Sequence, residues 1–189
     1  MKIIAFIGMP GSGKSVAGEA AKKLRLPVLR LGDLTDEELK KRGLERSEKS
    51  ERTVREELRK NFGMDVYAQK VSEKVEQKFA NENAVVLDGV RSFEEYKFLK
   101  SKHKNNFVAV CLAVSPQKRH ERLAKRKERP LTAEECISRD ESELKNLNIG
   151  ATIAMADIYV LNEKDGKDEF KQEIENFLNN LNKKKNKSG

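Results

Sequence analysis

The chain has 189 residues and a mass of 21.5 kDa, enough for one domain with a sizeable core and an inserted subdomain. It is 37% hydrophobic and 37% charged, has no tryptophan, and carries a net charge of +8. That is the composition of a soluble globular protein, with no apolar run approaching the length of a membrane span.

The apolar stretch after Met1 is brief and leads into a glycine loop rather than a signal-peptide cleavage site, so the expected location is cytoplasmic. Four of the lysines, Lys183, Lys184, Lys185 and Lys187, lie in the closing "NKKKNKSG", read as a basic flexible tail over 183–189. Such a tail attracts nucleic acid nonspecifically and is no evidence of a nucleic-acid function. Cys111 and Cys136 fall in different predicted elements and belong to no CxxC or Cys/His cluster, which argues against a metal site or a disulfide.

In chain order, "KIIAFI" is a short apolar run of the kind buried on both faces of a sheet. "KSVAGEAAKKL" follows with helical periodicity, and "PVLRL" reads as a second strand. Residues 35–81 contain no strand signal; "EELKKRGL", "SERTVREELRKNFG" and "DVYAQKVSEKVEQKFA" each predict a helix. "AVVLDG" is a third strand, "SFEEYKFLKSK" a helix and "NFVAVCLAV" a fourth strand. "SPQKRHERLAKRK" opens with Ser115 as N-cap and Pro116 at the first helical position, and "TAEECISRDESELKNL" with a Thr132 cap and an acidic first turn. "ADIYVLN" is a fifth strand, and "KDEFKQEIENFLNNL" a closing amphipathic helix. Strands alternating with helices predict an α/β fold with a five-stranded parallel sheet covered on both faces. Its ligand would bind beyond the carboxyl ends of the strands.

Gly8, Met9, Pro10, Gly11, Ser12, Gly13, Lys14 and Ser15 satisfy G-x-x-x-x-G-K-[ST] between a buried strand and a helix, the context that motif requires. Glycines let successive N–H groups turn inward as an anion nest, and the helix N-terminus adds its partial positive charge. Lys14 is placed for the β- and γ-phosphates of ATP, and the Ser15 hydroxyl for Mg²⁺. Asp88, at the carboxyl end of the third strand, is placed to act on the same metal through water. Hydrolytic motor ATPases carry a Glu directly after that Asp, whereas here the next residue is Gly89. A kinase needs no such base for water. The guanine motif N-K-x-D is absent, "NEKD" at 162–165 having its lysine misplaced.

"DGVR", Asp88 to Arg91, is one residue shorter than the Asp-Gly-x-x-Arg segment of nucleoside monophosphate kinases. Together with "GMPGSGKS", Gly32-Asp33, "LRKNFGMDVYAQKV", "LDGVRSFEEYKFLK", "SRDESEL" and "IAMADIYVLNE", it makes residues 1 to 178 resemble an archaeal P-loop family of adenylate-kinase-related proteins, also described as dephospho-CoA-kinase-like (UPF0200 type). The resemblance implies one kinase-like domain over 1–182, with a helical acceptor insertion at about 33–81 and a lid at about 115–147. It puts Asp33 and Arg91 at the acceptor, Lys14, Asp88, Arg91, Arg122 and Arg126 in phosphoryl transfer, and Asn162 in the loop that contacts adenine. Arg119, Arg122, Arg126 and Arg129 form the lid's basic group, and the spacing of the first three shares a helix face. Arg139 and Asp140 match its second basic point. The sequence departs from the family at Asp36, where relatives carry an arginine for an acceptor phosphate; Arg42, Arg46, Arg55 and Arg59 are the candidate substitutes.

Other features have simpler readings. His103 and His120 sit in polar stretches and read as surface residues, while Phe62, Phe79, Phe98 and Phe177 sit at helical positions and read as core anchors. Arg139 and Glu143 have the i,i+4 spacing of a surface ion pair. The implied function is a phosphotransferase passing the γ-phosphoryl group of Mg·ATP to a nucleotide-like small molecule, a nucleoside monophosphate or dephospho-CoA. The alternative is an ATP-binding switch that works through an RNA or protein partner.

Overall fold

The computed structural model describes residues 1–128 and 130–183. Arg129 and the tail from 184 to 189 lie outside the described residues. Five strands, β1 (Lys2–Ile7), β2 (Val28–Arg30), β3 (Ala84–Asp88), β4 (Phe107–Ala113) and β5 (Ile158–Leu161), form one parallel sheet in the order β2-β3-β1-β4-β5. Nine helices accompany them among the described residues: α1 (Lys14–Lys23), α2 (Asp33–Lys41), α3 (Glu48–Phe62), α4 (Val66–Lys78), α5 (Phe93–His103), α6 (Pro116–Ala124), α7 (Ala133–Leu147), α8 (Ile149–Ala154) and α9 (Lys167–Lys183).

The apolar run of β1 is buried because strand residues alternate faces. Ile3, Ala5 and Ile7 join the core under α2–α5, while Ile4 and Phe6 join the core under α1 and α9. The register pairs Phe6 with Asp88 and Ile7 with Cys111. The carboxyl end of β3 therefore stands level with the end of β1, where the glycine loop begins. That placement brings Asp88 to the loop.

Every predicted strand forms. Two helical blocks interrupt the alternation, α2–α4 after β2 and α6–α8 after β4. The six-residue α8 carries no apolar period of its own. It follows from Asn148, which adopts the left-handed conformation, ends α7 and starts α8.

Several local expectations are corrected by packing. Ser115 does not cap α6 with its side chain; its N–H and hydroxyl both donate to Glu163 from the loop after β5. Thr132 does cap α7, in a reciprocal box with Glu135. Phe62 is 64% exposed rather than a core anchor; it is the last residue of α3, which Gly63 closes. Phe79 and Phe98 pack partly buried on one core and Phe177 on the other. His103 and His120 are half-buried, bonded to Ser72 and Asp140 respectively. Both cysteines are buried free thiols.

Candidate active site: a phosphate loop facing an acceptor wall

The glycine loop wraps the start of α1. Gly11 has φ +83°, and a Cβ there would meet the Arg119 carbonyl oxygen at 2.8 Å. At Gly13, φ is +100° and a Cβ would lie 2.6 Å from Asn162 Nδ2 and 3.0 Å from the Phe170 ring. Side chains are excluded there by torsion and by space together.

Lys14 Nζ donates to the carbonyl oxygens of Gly8 (2.6 Å) and Met9 (3.0 Å), so its ammonium is held across the loop. Desolvation there, and then the Arg91 guanidinium, hold the Lys14 pKa down at about 8, against the opposing pull of Asp88 and Glu143. The Ser15 hydroxyl is exposed at the first turn of α1 and has no hydrogen-bond partner among the described residues.

The loop faces a cavity of about 1240 Å³. One wall comes from the loop, α1, the α6–α7 segment and the segment after β5; the other comes from β2, α2–α4 and the β3–α5 loop. Lys14, Ser15, Asp88, Arg91, Arg122 and Arg126 all line it, as the resemblance implies. Gly8, Pro10, Gly11, Ser12, Gly13 and Asn162 do too, while Met9 contributes only its carbonyl.

Asp33 lies outside this cavity. Gly32, Thr35 and Asp36 take the cavity face of the first turn of α2, by the i,i+3,i+4 spacing, and Asp33 is rotated away toward Arg30, Lys70 and Lys74. The expectation that Asp33 faces the acceptor side of the cavity is thereby corrected; Thr35 and Asp36 line it instead. Of the candidate arginines, Arg46, Arg55 and Arg59 line the cavity, while Arg42 pairs with Glu38 and Glu57 outside it.

The arginines of α6 do not act as one face. Arg119 is 3% exposed, donates Nη1 to the Pro10 carbonyl (3.1 Å) and makes two bonds to Asp140 (2.8 and 2.7 Å). It braces the loop from behind. Arg122 donates Nη2 to the carbonyls of Asn162 (2.9 Å) and Lys164 (2.8 Å), fixing the segment after β5. Asn162 itself is buried and donates Nδ2 to the Ser12 carbonyl at 3.0 Å. The side chain assigned to the adenine contact thus positions the phosphate loop. Arg126 and Arg139 line the cavity, and Glu143 is buried and pairs with Arg91.

A second network was not visible in the sequence. Glu95 is 1% exposed; its Oε2 accepts the N–H groups of Arg91 (2.7 Å) and Ser92 (3.2 Å), and its Oε1 accepts from Arg59 (3.2 Å). Burial pushes the Glu95 carboxyl up, opposed by those donors. Arg59 lies over the Tyr67 ring at 4.8 Å, and the Tyr67 hydroxyl is 2.8 Å from Thr35. The only local signal was the S-x-x-E spacing of Ser92 and Glu95, a capping box that the structure forms.

A glycine loop ending one parallel strand, a carboxylate ending its neighbour and two helical blocks over the cavity define a P-loop protein of the kinase-like class. A family model described as an AAA domain matches residues 4–146. The chain is 38% identical to a UPF0200 protein of Methanocaldococcus jannaschii over 98% of this chain and 95% of that one, and it belongs to the UPF0200 family. Its fold is similar to that of a shikimate kinase from Bacteroides thetaiotaomicron (TM-score 0.61, 17% identity, 94% of this chain and 98% of that one). It is also similar to that of a gluconokinase from Sinorhizobium meliloti (TM-score 0.58, 17% identity, 100% and 98%). No described helix is long and apolar enough to cross a membrane.

Proposed function

We propose that the protein transfers the γ-phosphoryl group of Mg·ATP to a small-molecule acceptor. One observation carries the reading: the phosphate loop and an acceptor wall of separate origin share one cavity. Its volume exceeds the about 300–1,000 Å³ usual for a single ligand and suits two substrates side by side.

The residues fit the donor. Loop N–H groups and the α1 N-terminus suit the phosphates, and the Lys14 ammonium exchanges its bonds to the Gly8 and Met9 carbonyls for phosphate oxygens. The unpartnered Ser15 hydroxyl and the Asp88 carboxylate, which line the same cavity, suit a magnesium ion, Asp88 through water. When bound, that ion would offset phosphate charge. Gly89 supplies no side chain to activate water, and the cavity walls hold the acceptor oxygen in its stead. A partner-driven switch, the alternative function, has no need of the wall formed by α2–α4.

The test is transfer of labelled γ-phosphate from Mg·ATP to nucleoside monophosphates, nucleosides and dephospho-CoA, each offered separately. A labelled product that disappears in Lys14→Ala is expected. Intact ATP binding with no product from any acceptor would favour the switch.

A further inference from the structure

The cations of the two cavity walls are in different states. On the donor wall, Lys164 and Lys167 pair with Glu169 (2.8 Å) and Glu19 (3.3 Å), while Lys14, Lys22, Lys125 and Lys127 line the cavity with no carboxylate partner among the described residues. On the acceptor wall, every lining arginine already has one. Arg46 bonds Glu51 at 2.7 Å and stands 3.4 Å from Asp36; Arg55 bonds the other Glu51 oxygen at 3.3 Å. Arg59 bonds Glu95 at 3.2 Å, Arg91 bonds Glu143 at 2.9 Å, and Arg30 faces Asp33 at 3.6 Å.

Three of these carboxylates are buried, with Glu51 at 7%, Glu95 at 1% and Glu143 at 5% exposure. A phosphate dianion arriving at this wall would compete with Glu51, Glu95 and Glu143 for guanidinium groups whose charge those carboxylates already offset. It would also meet Asp36. The donor wall differs in its four lysines without a carboxylate partner among the described residues, cations suited to a polyphosphate.

From this asymmetry we infer that the acceptor is a hydroxyl compound bearing little net charge where it meets the α2–α4 wall, and not a nucleoside monophosphate. The inference rests on the phosphotransferase reading above and names its acceptor class. Alternating guanidinium and carboxylate groups, with the Thr35 and Tyr67 hydroxyls, offer donors and acceptors to a neutral polar molecule. In the transfer, the acceptor's hydroxyl oxygen forms a bond to the γ-phosphorus. The bond from that phosphorus to the bridging oxygen breaks, and ADP leaves with the electron pair. The hydroxyl proton ends on the transferred phosphoryl group and is lost from it to water. Arg91, which lines the cavity next to Asp88 and Gly89, serves the transferred group rather than an acceptor phosphate.

The test fills the donor site with magnesium and a non-hydrolysable ATP analogue, then titrates inorganic phosphate by calorimetry. Wild-type protein is expected to show no second phosphate site tighter than about 10 mM. Glu51→Gln, which removes the carboxylate charge shared by Arg46 and Arg55, and Asp36→Asn, a milder change at a partly exposed position, are each expected to tighten phosphate by about tenfold or more. Wild-type binding at about 1 mM or tighter, abolished by Arg55→Ala, would overturn the inference while leaving the phosphotransferase reading intact. So would a ³¹P spectrum of the reaction product showing a new phosphoanhydride rather than a phosphomonoester. An analogue that fails to bind at all would sink both.

Discussion

Asp140→Ala tests whether helix α7 holds the phosphate loop in place. Asp140 is the bidentate partner of Arg119, which lies behind the loop with 4% side-chain exposure and also donates to Pro10. Removing one partner of a buried pair costs about 3–5 kcal/mol, because the remaining charge is stranded. Asp140 is itself 15% exposed, so the lower end, about 3 kcal/mol, applies. For a chain of this size each kcal/mol moves Tm by about 2–4 °C, giving a fall of about 6–12 °C by calorimetry. Nucleotide-analogue affinity should fall with it, because Pro10 loses a rigid donor. The pH dependence supplies a second check. Desolvation pushes the Asp140 carboxyl up, but hydrogen bonds from Arg119 and His120 outweigh it and leave it below the ordinary 3.8. Its contribution is therefore complete above that value and is lost as pH falls through the lower, folded one. The variant should show a shallower acid-side decline than wild type. A Tm within about 2 °C of wild type at neutral pH would refute the bracing role.

Two further outcomes follow from the loop. The Lys14 pKa of about 8 in the empty protein predicts that nucleotide-analogue binding weakens as pH rises through 8, and that binding in that range takes up a proton, measurable by calorimetry in buffers of different ionisation enthalpy. The linked stability runs the other way: with its folded pKa below the ordinary 10.5, Lys14 costs stability at neutral pH, and the empty protein regains it between 8 and 10.5. Gly13→Ala places a Cβ against Asn162 Nδ2 and the Phe170 ring in a left-handed conformation; a stability loss of about 1–3 kcal/mol and loss of analogue binding are expected, and a normal melting curve would contradict it.

What could be seen in the sequence was whatever is encoded locally. The five strands are short apolar runs set between helical periods, and the phosphate loop is a contiguous motif whose glycines serve its own backbone. Asp88 was also legible, since the end of a buried run fixes its position at the sheet's rim. The errors share a cause: each is a question of direction around a helix, decided by a partner far away in the chain. Asp33 and Asp36 are three residues apart in the same acidic turn, and the packing of α2 against α3 and α4 turns the second into the cavity and the first out. Arg119, Arg122 and Arg126 have the spacing of one face, yet Arg119 is claimed by Asp140 and Pro10, and Arg122 by the carbonyls of Asn162 and Lys164.

The same distinction bears on which charges are available to a substrate. A guanidinium delivers five donors in a fixed plane, so one matched to a carboxylate or to a pair of carbonyls is held in one orientation, with much of its charge already offset. Several arginines are used that way: Arg119 and Arg122 hold the phosphate loop and the segment after β5, and Arg46, Arg55, Arg59 and Arg91 tie one cavity wall to α2, α3, α5 and α7. Under the proposed transfer, lysines carry the charge for phosphate, from Lys14 in the loop to Lys125 and Lys127 beyond α6, all of which line the cavity. A point charge on a flexible stem can follow a moving phosphoryl group in a way a clamped guanidinium cannot. Counting basic residues along a helix therefore overstates its phosphate-binding capacity, and the carboxylates spaced along the partner elements show by how much.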